Sequence, residues 1–215
     1  MLPILYSYYN CPHSLKAAFF LSEKGIDFQR VEVDLSNQQQ KTSTYLAINP
    51  KGTVPAFEDA DGTLGDSLDI MKHADQYAPP RLIPEAPQQL DDALKWIARA
   101  DQEFWHVSHH LYWQLIEPAA SGTDWNDVRQ LKAQGVSLLQ ELDDRLQHQR
   151  YVCGELSIVD VVLLPWVYGY QRFDLAENGQ FPHVERWRDE LAQRASFIAN
   201  YRQRGIPLED FLATR

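Results

Sequence analysis

Hydrophobic positions at the start of the chain follow first a strand pattern and then a helical one. Ile4 to Tyr8 is a short apolar run that reads as a buried strand. Leu15, Ala18, Phe19 and Ser22 then recur at helical spacing until Lys24-Gly25 stops the helix. Phe28 to Asp34 reads as a second strand. A strand, a helix and a strand in this order form a right-handed parallel unit. That places the helix start beside the carboxyl ends of the strands, where open α/β sheets bind ligands. Ser36 to Gln40 is polar loop, and Lys41 to Ile48 a short irregular helix ending at Asn49-Pro50-Lys51-Gly52. Thr53 to Phe57 predicts a strand that contains Pro55, which cannot donate within a ladder; one solution is a cis Val54–Pro55 bond. Asp61-Gly62 marks a hairpin that returns through Thr63-Leu64-Gly65. Asp66-Ser67 opens a helix with Leu68, Met71 and Ala74 on one face, where an acid and a hydroxyl are ordinary capping residues.

Residues 78–87 carry four prolines and read as a linker. Beyond them no strand alternation appears. Leu90, Leu94, Ile97, Phe104, Leu111 and Leu115 form one long apolar stripe, interrupted at Asp101 and Ser108 and flanked by Trp105, His109, Tyr112 and Trp113. Aromatic residues at helical spacing are usually core, and a substrate pocket is the alternative. A second helix runs from Asp124 to Gln149, with Val128, Leu131, Leu138, Leu142 and Leu146 inward. Ser157 and Asp160 have the spacing of a capping box, with Leu156 and Val161 as its staple. The helix after Ser157 is apolar on nearly every side and belongs at the centre of its domain. Phe181 to Tyr201 predicts peripheral helix, and the tail to Arg215 shows no pattern. The expected architecture is α/β followed by all-α. Its expected division is 1–77, a linker at 78–88, and a helical domain at 89–215.

Composition narrows the function. With 215 residues, 44% of them hydrophobic, the chain can bury a proper core. A net charge of −10 without a basic run argues against nucleic acid as a partner. No apolar run is long enough for a membrane span and no secretory leader is recognisable, so a cytoplasmic protein without membrane partners is expected. His106, His109 and His110 lack identifiable further ligands and read as solvated or packing side chains; no metal is expected. Two cysteines, Cys11 and Cys153, are too few for a disulfide framework.

Cys11 is where chemistry concentrates. Pro12 suits the first helical position, which makes Cys11 the N-cap and turns its sulfur toward the amides of His13 and Ser14. Those amides and the helix dipole favour a thiolate, so a lowered pKa is expected. A drop of about two units raises the thiolate fraction at pH 7 from about 3% to about 75%, yet reduced nucleophilicity leaves a net gain of only about threefold. The larger benefit is that such a sulfur is a good leaving group. An inert helix-start cysteine is the alternative.

Taken together, these segments resemble the cytosolic glutathione S-transferase family over essentially the whole chain. Asn49-Pro50-Lys51-Gly52-Thr53-Val54-Pro55 is similar to its cis-proline loop, Asp66-Ser67 to its Glu-Ser pair, and Ser157 to Asp160 to its capping box. Cys11-Pro12-His13-Ser14 resembles the start of the cysteine-type members, the omega class and the two-domain bacterial glutaredoxin. The resemblance implies a thioredoxin-like βαβ-α-ββα domain, a homodimer, and glutathione as co-substrate beside a small electrophile or disulfide. It also implies site roles. Cys11 would be the catalytic thiol, and Val54, held by Pro55, would pair main chain to main chain with the cysteinyl part. Asp66 would meet the γ-glutamyl ammonium, Ser67 its carboxylate, and Lys41 the glycyl carboxylate. Separately from the resemblance, the aromatic helix pattern makes Asp101, Trp105 and Tyr112 candidates for the wall of a second-substrate pocket. Three departures stand out. Ser14 replaces the second cysteine of a dithiol motif, Asp66 is one methylene shorter than Glu, and Lys16 replaces a frequent Arg, whose bidentate fork it cannot reproduce. The implied activity is glutathione-dependent thiol transfer, including deglutathionylation. The alternatives are a hydroxyl-type transferase using Tyr6, Ser7 or Tyr8, and a non-catalytic binding module.

Overall fold

A computed structural model describes residues 2–77, 79–117, 122–175 and 177–214. Its first elements are β1 (Ile4–Ser7), α1 (Pro12–Glu23), β2 (Gln29–Glu32), α2 (Ser43–Ile48), β3 (Ala56–Asp59), β4 (Gly62–Leu64) and α3 (Ser67–Asp75). β1 pairs parallel with β2, Tyr6 opposite Val31, and antiparallel with β3, Leu5 opposite Phe57. β3 and β4 form the hairpin at Asp61-Gly62. The strand expected over Thr53 to Phe57 starts only at Ala56, because Pro55 must lie outside the ladder.

Local chemistry sets the helix ends. Pro12 occupies the first turn of α1, and Gly25 takes the left-handed conformation just past its end, at φ +65°. Thr42 caps α2 through the Tyr45 amide, and Asp66 caps α3. α1 and α3 are fastened at their far ends by a buried pair, with Lys24 Nζ 3.0 Å from Asp75 Oδ1. The ammonium also donates to the carbonyls of Asp75 and Pro80, so the buried cation is fully partnered.

The chain forms two compact units, Met1–Arg81 with Arg194–Arg215, and Leu82–Gln193. This differs from the expected division, which gave everything from 89 to 215 to the helical domain. The returning segment carries α9 (Ala195–Ile198), β5 (Ile206–Pro207) and α10 (Leu208–Ala213), while the second unit carries α4 to α8. β5 pairs parallel with β2, so the sheet has five strands in the order β4-β3-β1-β2-β5. Gly205 allows the approach: a Cβ there would lie 2.7 Å from the Arg30 carbonyl oxygen and 2.8 Å from the Glu32 nitrogen. The peripheral helix expected over Phe181 to Tyr201 is present as two separate helices, Pro182–Ala192 and Ala195–Ile198, in two different units.

The second unit is all-helical: α4 (Pro87–Arg99), α5 (Trp105–Leu115), α6 (Trp125–Leu146), α7 (Ile158–Tyr170) and α8 (Pro182–Ala192). The long apolar stripe is two helices joined by a π-helical turn over Ala100–Phe104, the turn that holds Asp101. α7 is buried along nearly its whole length. Its capping box forms as expected. Asp160 also accepts from the Val152 amide at 3.0 Å and the Trp187 indole at 2.9 Å. Asp143 of α6 accepts the amides of His183 and Val184 at 2.8 and 2.9 Å, capping α8 from a neighbouring helix. No helix among the described residues is long and apolar enough to cross a membrane.

Candidate active site

β1 delivers the chain to the turn at Tyr8, Tyr9 and Asn10, and Cys11 follows as the N-cap of α1 with extended backbone angles of −96° and 118°. The Cys11 amide donates to the Tyr8 carbonyl at 3.0 Å, and the Tyr8 amide donates to the Ser14 hydroxyl at 3.2 Å. Ser14, where a dithiol motif has its second cysteine, is therefore a buried clasp for the turn. The amides of Ser14 and His13, the Ser14 hydroxyl and the charge of Lys16 all act on the sulfur to lower its pKa. Burial outweighs them and pushes the Cys11 thiol up. That reverses the expectation of a lowered pKa. The reason is non-local: half-buried Cys11 packs against an apolar cluster containing Tyr6, Tyr45, Val54, Leu208 and Phe211.

The Val54–Pro55 bond is cis. Val54 lies outside the β1–β3 ladder, which ends at Ala56, so its main chain is not committed to the sheet. Two side chains, Tyr45 and the Asn49 that opens the cis-proline motif, hold the loop before it. Tyr45 donates its hydroxyl to the Thr53 carbonyl at 2.8 Å, and the Asn49 amide nitrogen donates to the same oxygen at 2.7 Å. Lys41 lies on a short turn before α2, and its ammonium donates to the Gly52 carbonyl at 2.9 Å, on the same loop.

At the start of α3, Asp66 Oδ1 accepts the amides of Leu68 and Asp69 at 2.8 and 3.3 Å. Ser67 is 5% exposed, and among the described residues its hydroxyl has no hydrogen-bond partner. An unpartnered hydroxyl at a helix N-terminus, on a residue otherwise buried and beside an acid, can receive a zwitterionic group.

The hydroxyl candidates are differently placed. Tyr6 is buried and donates to Glu58 at 2.9 Å, and buried Ser7 lies 3.5 Å from Arg30. The Tyr8 hydroxyl is pushed up by burial and by Tyr9, Asp34 and Glu32. Asp101, Trp105 and Tyr112 belong to the second unit. Trp105 stacks on His109 with ring centroids 4.8 Å apart, and Tyr112 donates to Glu117. Cys153, also there, is half-buried and its thiol is pushed up to about 11, mainly by burial.

Among the described residues one group of potential metal ligands exists, Asp59, Asp61 and His73, with ligand atoms within 4.8 Å of one another. His73 Nε2 is 2.7 Å from Asp59, and the Tyr77 hydroxyl lies within hydrogen-bond distance of all three. Their polar atoms satisfy one another and bind the β3–β4 hairpin to α3.

A parallel–antiparallel sheet with a cysteine at its first helix start, a cis-proline loop and a capped acid-hydroxyl pair defines a thioredoxin-like unit, here in one chain with an all-helical one. Family comparison makes the class specific. The model of the glutathione S-transferase N-terminal domain matches residues 5–82, and that of the C-terminal domain residues 105–195. The chain belongs to the glutathione S-transferase family. It is 30% identical to glutathione S-transferase PARB of Nicotiana tabacum over 86% of this chain and 90% of that protein. It is 27% identical to maleylacetoacetate isomerase of Mus musculus over 96% of each. A solved structure of glutathione S-transferase-I, bound with lactoylglutathione, superposes with a TM-score of 0.82 at 25% identity, covering 94% of this chain and 99% of that one.

Proposed function

We propose that this protein is a glutathione transferase in which the Cys11 sulfur performs thiol transfer. The observation that supports it most is the position of Cys11 as N-cap of α1, with the amides of His13 and Ser14 acting on its sulfur. Glutathione fits the neighbouring groups. Its cysteinyl main chain pairs with Val54, its γ-glutamyl ammonium meets Asp66, and the adjacent carboxylate meets the Ser67 hydroxyl and amide, since the Leu68 and Asp69 amides are held by Asp66. Lys41 reaches the glycyl carboxylate. In the reaction, the Cys11 thiolate attacks the glutathione sulfur of a mixed disulfide, and the substrate leaves as a thiol after taking a proton. A second glutathione thiolate then attacks the Cys11–glutathione bond, releasing glutathione disulfide and restoring Cys11. Ser14 offers no resolving thiol, so this second glutathione is required.

A second reading is favoured by the direction of the Cys11 shift. A thiol held protonated can donate to the glutathione sulfur and stabilise its thiolate for addition to an electrophile. In either case Asp101, Trp105 and Tyr112 select the second substrate, the protein acts as a homodimer, and it works in the cytoplasm. The test is intact-mass analysis after incubation with oxidised glutathione. One added glutathione on wild type and none on Cys11→Ser fits thiol transfer. A Cys11→Ser variant that keeps conjugation but loses deglutathionylation fits both roles divided between sulfur and hydroxyl. Full thioltransferase activity without Cys11 overturns the assignment.

A further inference from the structure

The segment that returns to the first unit wraps it from one sheet face to the other. α9 packs on α1, with Phe197 edge-on to Phe19 at 5.6 Å and Arg194 bidentate on Glu23 at 2.6 and 2.7 Å. β5 then joins the β2 edge at only two register positions, Ile206 opposite Val31 and Pro207 opposite Glu32. α10 follows, and buries Leu208 and Phe211 in the cluster against which Cys11, Tyr8 and Leu212 also pack. Phe211 meets Tyr6 edge-on at 6.1 Å.

This strap is fastened to the turn that carries Cys11. Glu32, 7% exposed, accepts the Tyr9 amide on Oε1 at 3.1 Å and the Gly205 amide on Oε2 at 3.2 Å. One carboxylate thus joins the residue two before Cys11 to the start of β5. The Arg204 guanidinium lies 3.7 Å over the Tyr9 ring and makes a second fastening.

We propose that residues 204–213 form a gate over the Cys11 thiol and that Glu32 is the positioning residue coupling the gate to the Cys11 turn. The inference rests on Cys11 being the reactive thiol of the proposed function. A two-residue edge strand and a helix of six residues have little stability of their own, so the strap opens before the rest of the unit does. When it is closed, the apolar cluster lies against the half-buried Cys11 and reduces the contact of its sulfur with water. When it opens, water returns, and the amides of His13 and Ser14 and the charge of Lys16 act on the sulfur with less opposition. The thiol then ionises more readily and is reached more easily, and both changes speed its reaction.

The experiment alkylates the full chain with iodoacetamide and follows Cys11 and Cys153 separately by peptide mass. Cys153 lies in the other unit and is the internal reference. Gly205→Ala drives a Cβ into the β2 backbone, and Glu32→Gln leaves one acceptor oxygen for two amides. In both variants Cys11 should react at least about fivefold faster at pH 7 relative to Cys153, with the midpoint of its pH–rate curve moved to lower pH. Arg204→Ala, which removes an exposed side chain, should give a smaller change of the same sign and decides the matter if Gly205→Ala does not fold. Ratios and midpoints indistinguishable from wild type would overturn the gate. Alkylation needs no glutathione, so failure of the gate, read from alkylation rates, is distinguishable from failure of the transferase reading, read from glutathione addition.

Discussion

The Tyr8 amide donates to the Ser14 hydroxyl across the turn that presents Cys11, at 3.2 Å, so one serine both shapes the turn and acts on the sulfur. Ser14→Ala removes both effects. The Tyr8 amide loses its partner at a cost of about 1 to 3 kcal/mol. In a chain of this size that lowers Tm by about 2 to 12 °C. The sulfur loses a hydrogen bond that favours its anion, so Cys11 alkylation should slow at neutral pH. Unchanged Tm and unchanged alkylation together would remove Ser14 from the site.

The pH dependence of wild type follows from the direction of the Cys11 shift. A raised pKa means a protonated sulfur at neutral pH, and the thiolate fraction grows about tenfold per unit well below the pKa. Alkylation of the ligand-free protein should therefore climb steadily from pH 6 to 8. A plateau in that range would mean that the amides at the helix start dominate over burial.

Ser67→Ala should weaken glutathione binding about ten- to a hundredfold, the loss expected for a hydrogen bond to a charged group. The fold should not suffer, because no described group depends on that hydroxyl. Calorimetric titration with unchanged affinity would move the γ-glutamyl contact elsewhere.

Asp59 contributes to acid sensitivity. Its pKa is held below the ordinary carboxylate value: burial opposes this, but His73, the Asp61 amide and Tyr77 outweigh it. A depressed folded-state pKa supplies stability above the unfolded value, near 4, that is lost as pH falls through the folded value. Asp59→Asn should therefore be less stable at pH 7 and show a flatter stability curve below pH 4. Parallel curves for variant and wild type would contradict this.

Asp160→Ala should be the most damaging single change in the helical unit. It strands the amides of Val152 and Ser157 and the indole of Trp187 in a buried site, at a combined cost of about 3 kcal/mol or more. Chemical denaturation followed by far-ultraviolet circular dichroism should show that loss as a lower transition midpoint.

Much of this was legible because it is local. Pro12, Gly25, Asp66, the Asp61-Gly62 turn and the Ser157–Asp160 box each act within a few residues of chain, where spacing alone carries the signal. What escaped is tertiary. β5 is too short for any periodicity and its pairing depends on Gly205 fitting against β2. Asp143 caps a helix that begins 39 residues later in the numbering, at Pro182, and nothing near either residue announces it. The direction of the Cys11 shift escaped for the same reason. The helix-start amides can be read from Cys11-Pro12, whereas the desolvation comes from a cluster completed by Leu208 and Phe211. Trp105 remains readable only as an aromatic on a helix.

The pairing of Ile206 with Val31 also bears on the order in which the molecule can be made. Synthesis is vectorial, and the entire second unit lies between those two positions in the chain. β1, α1 and β2 are made before residues 206–213 and until then lack an edge strand and part of the apolar cover of one face. Through that interval the nascent unit carries an open β2 edge and a solvated Cys11, which makes it the part of the chain most dependent on prompt completion.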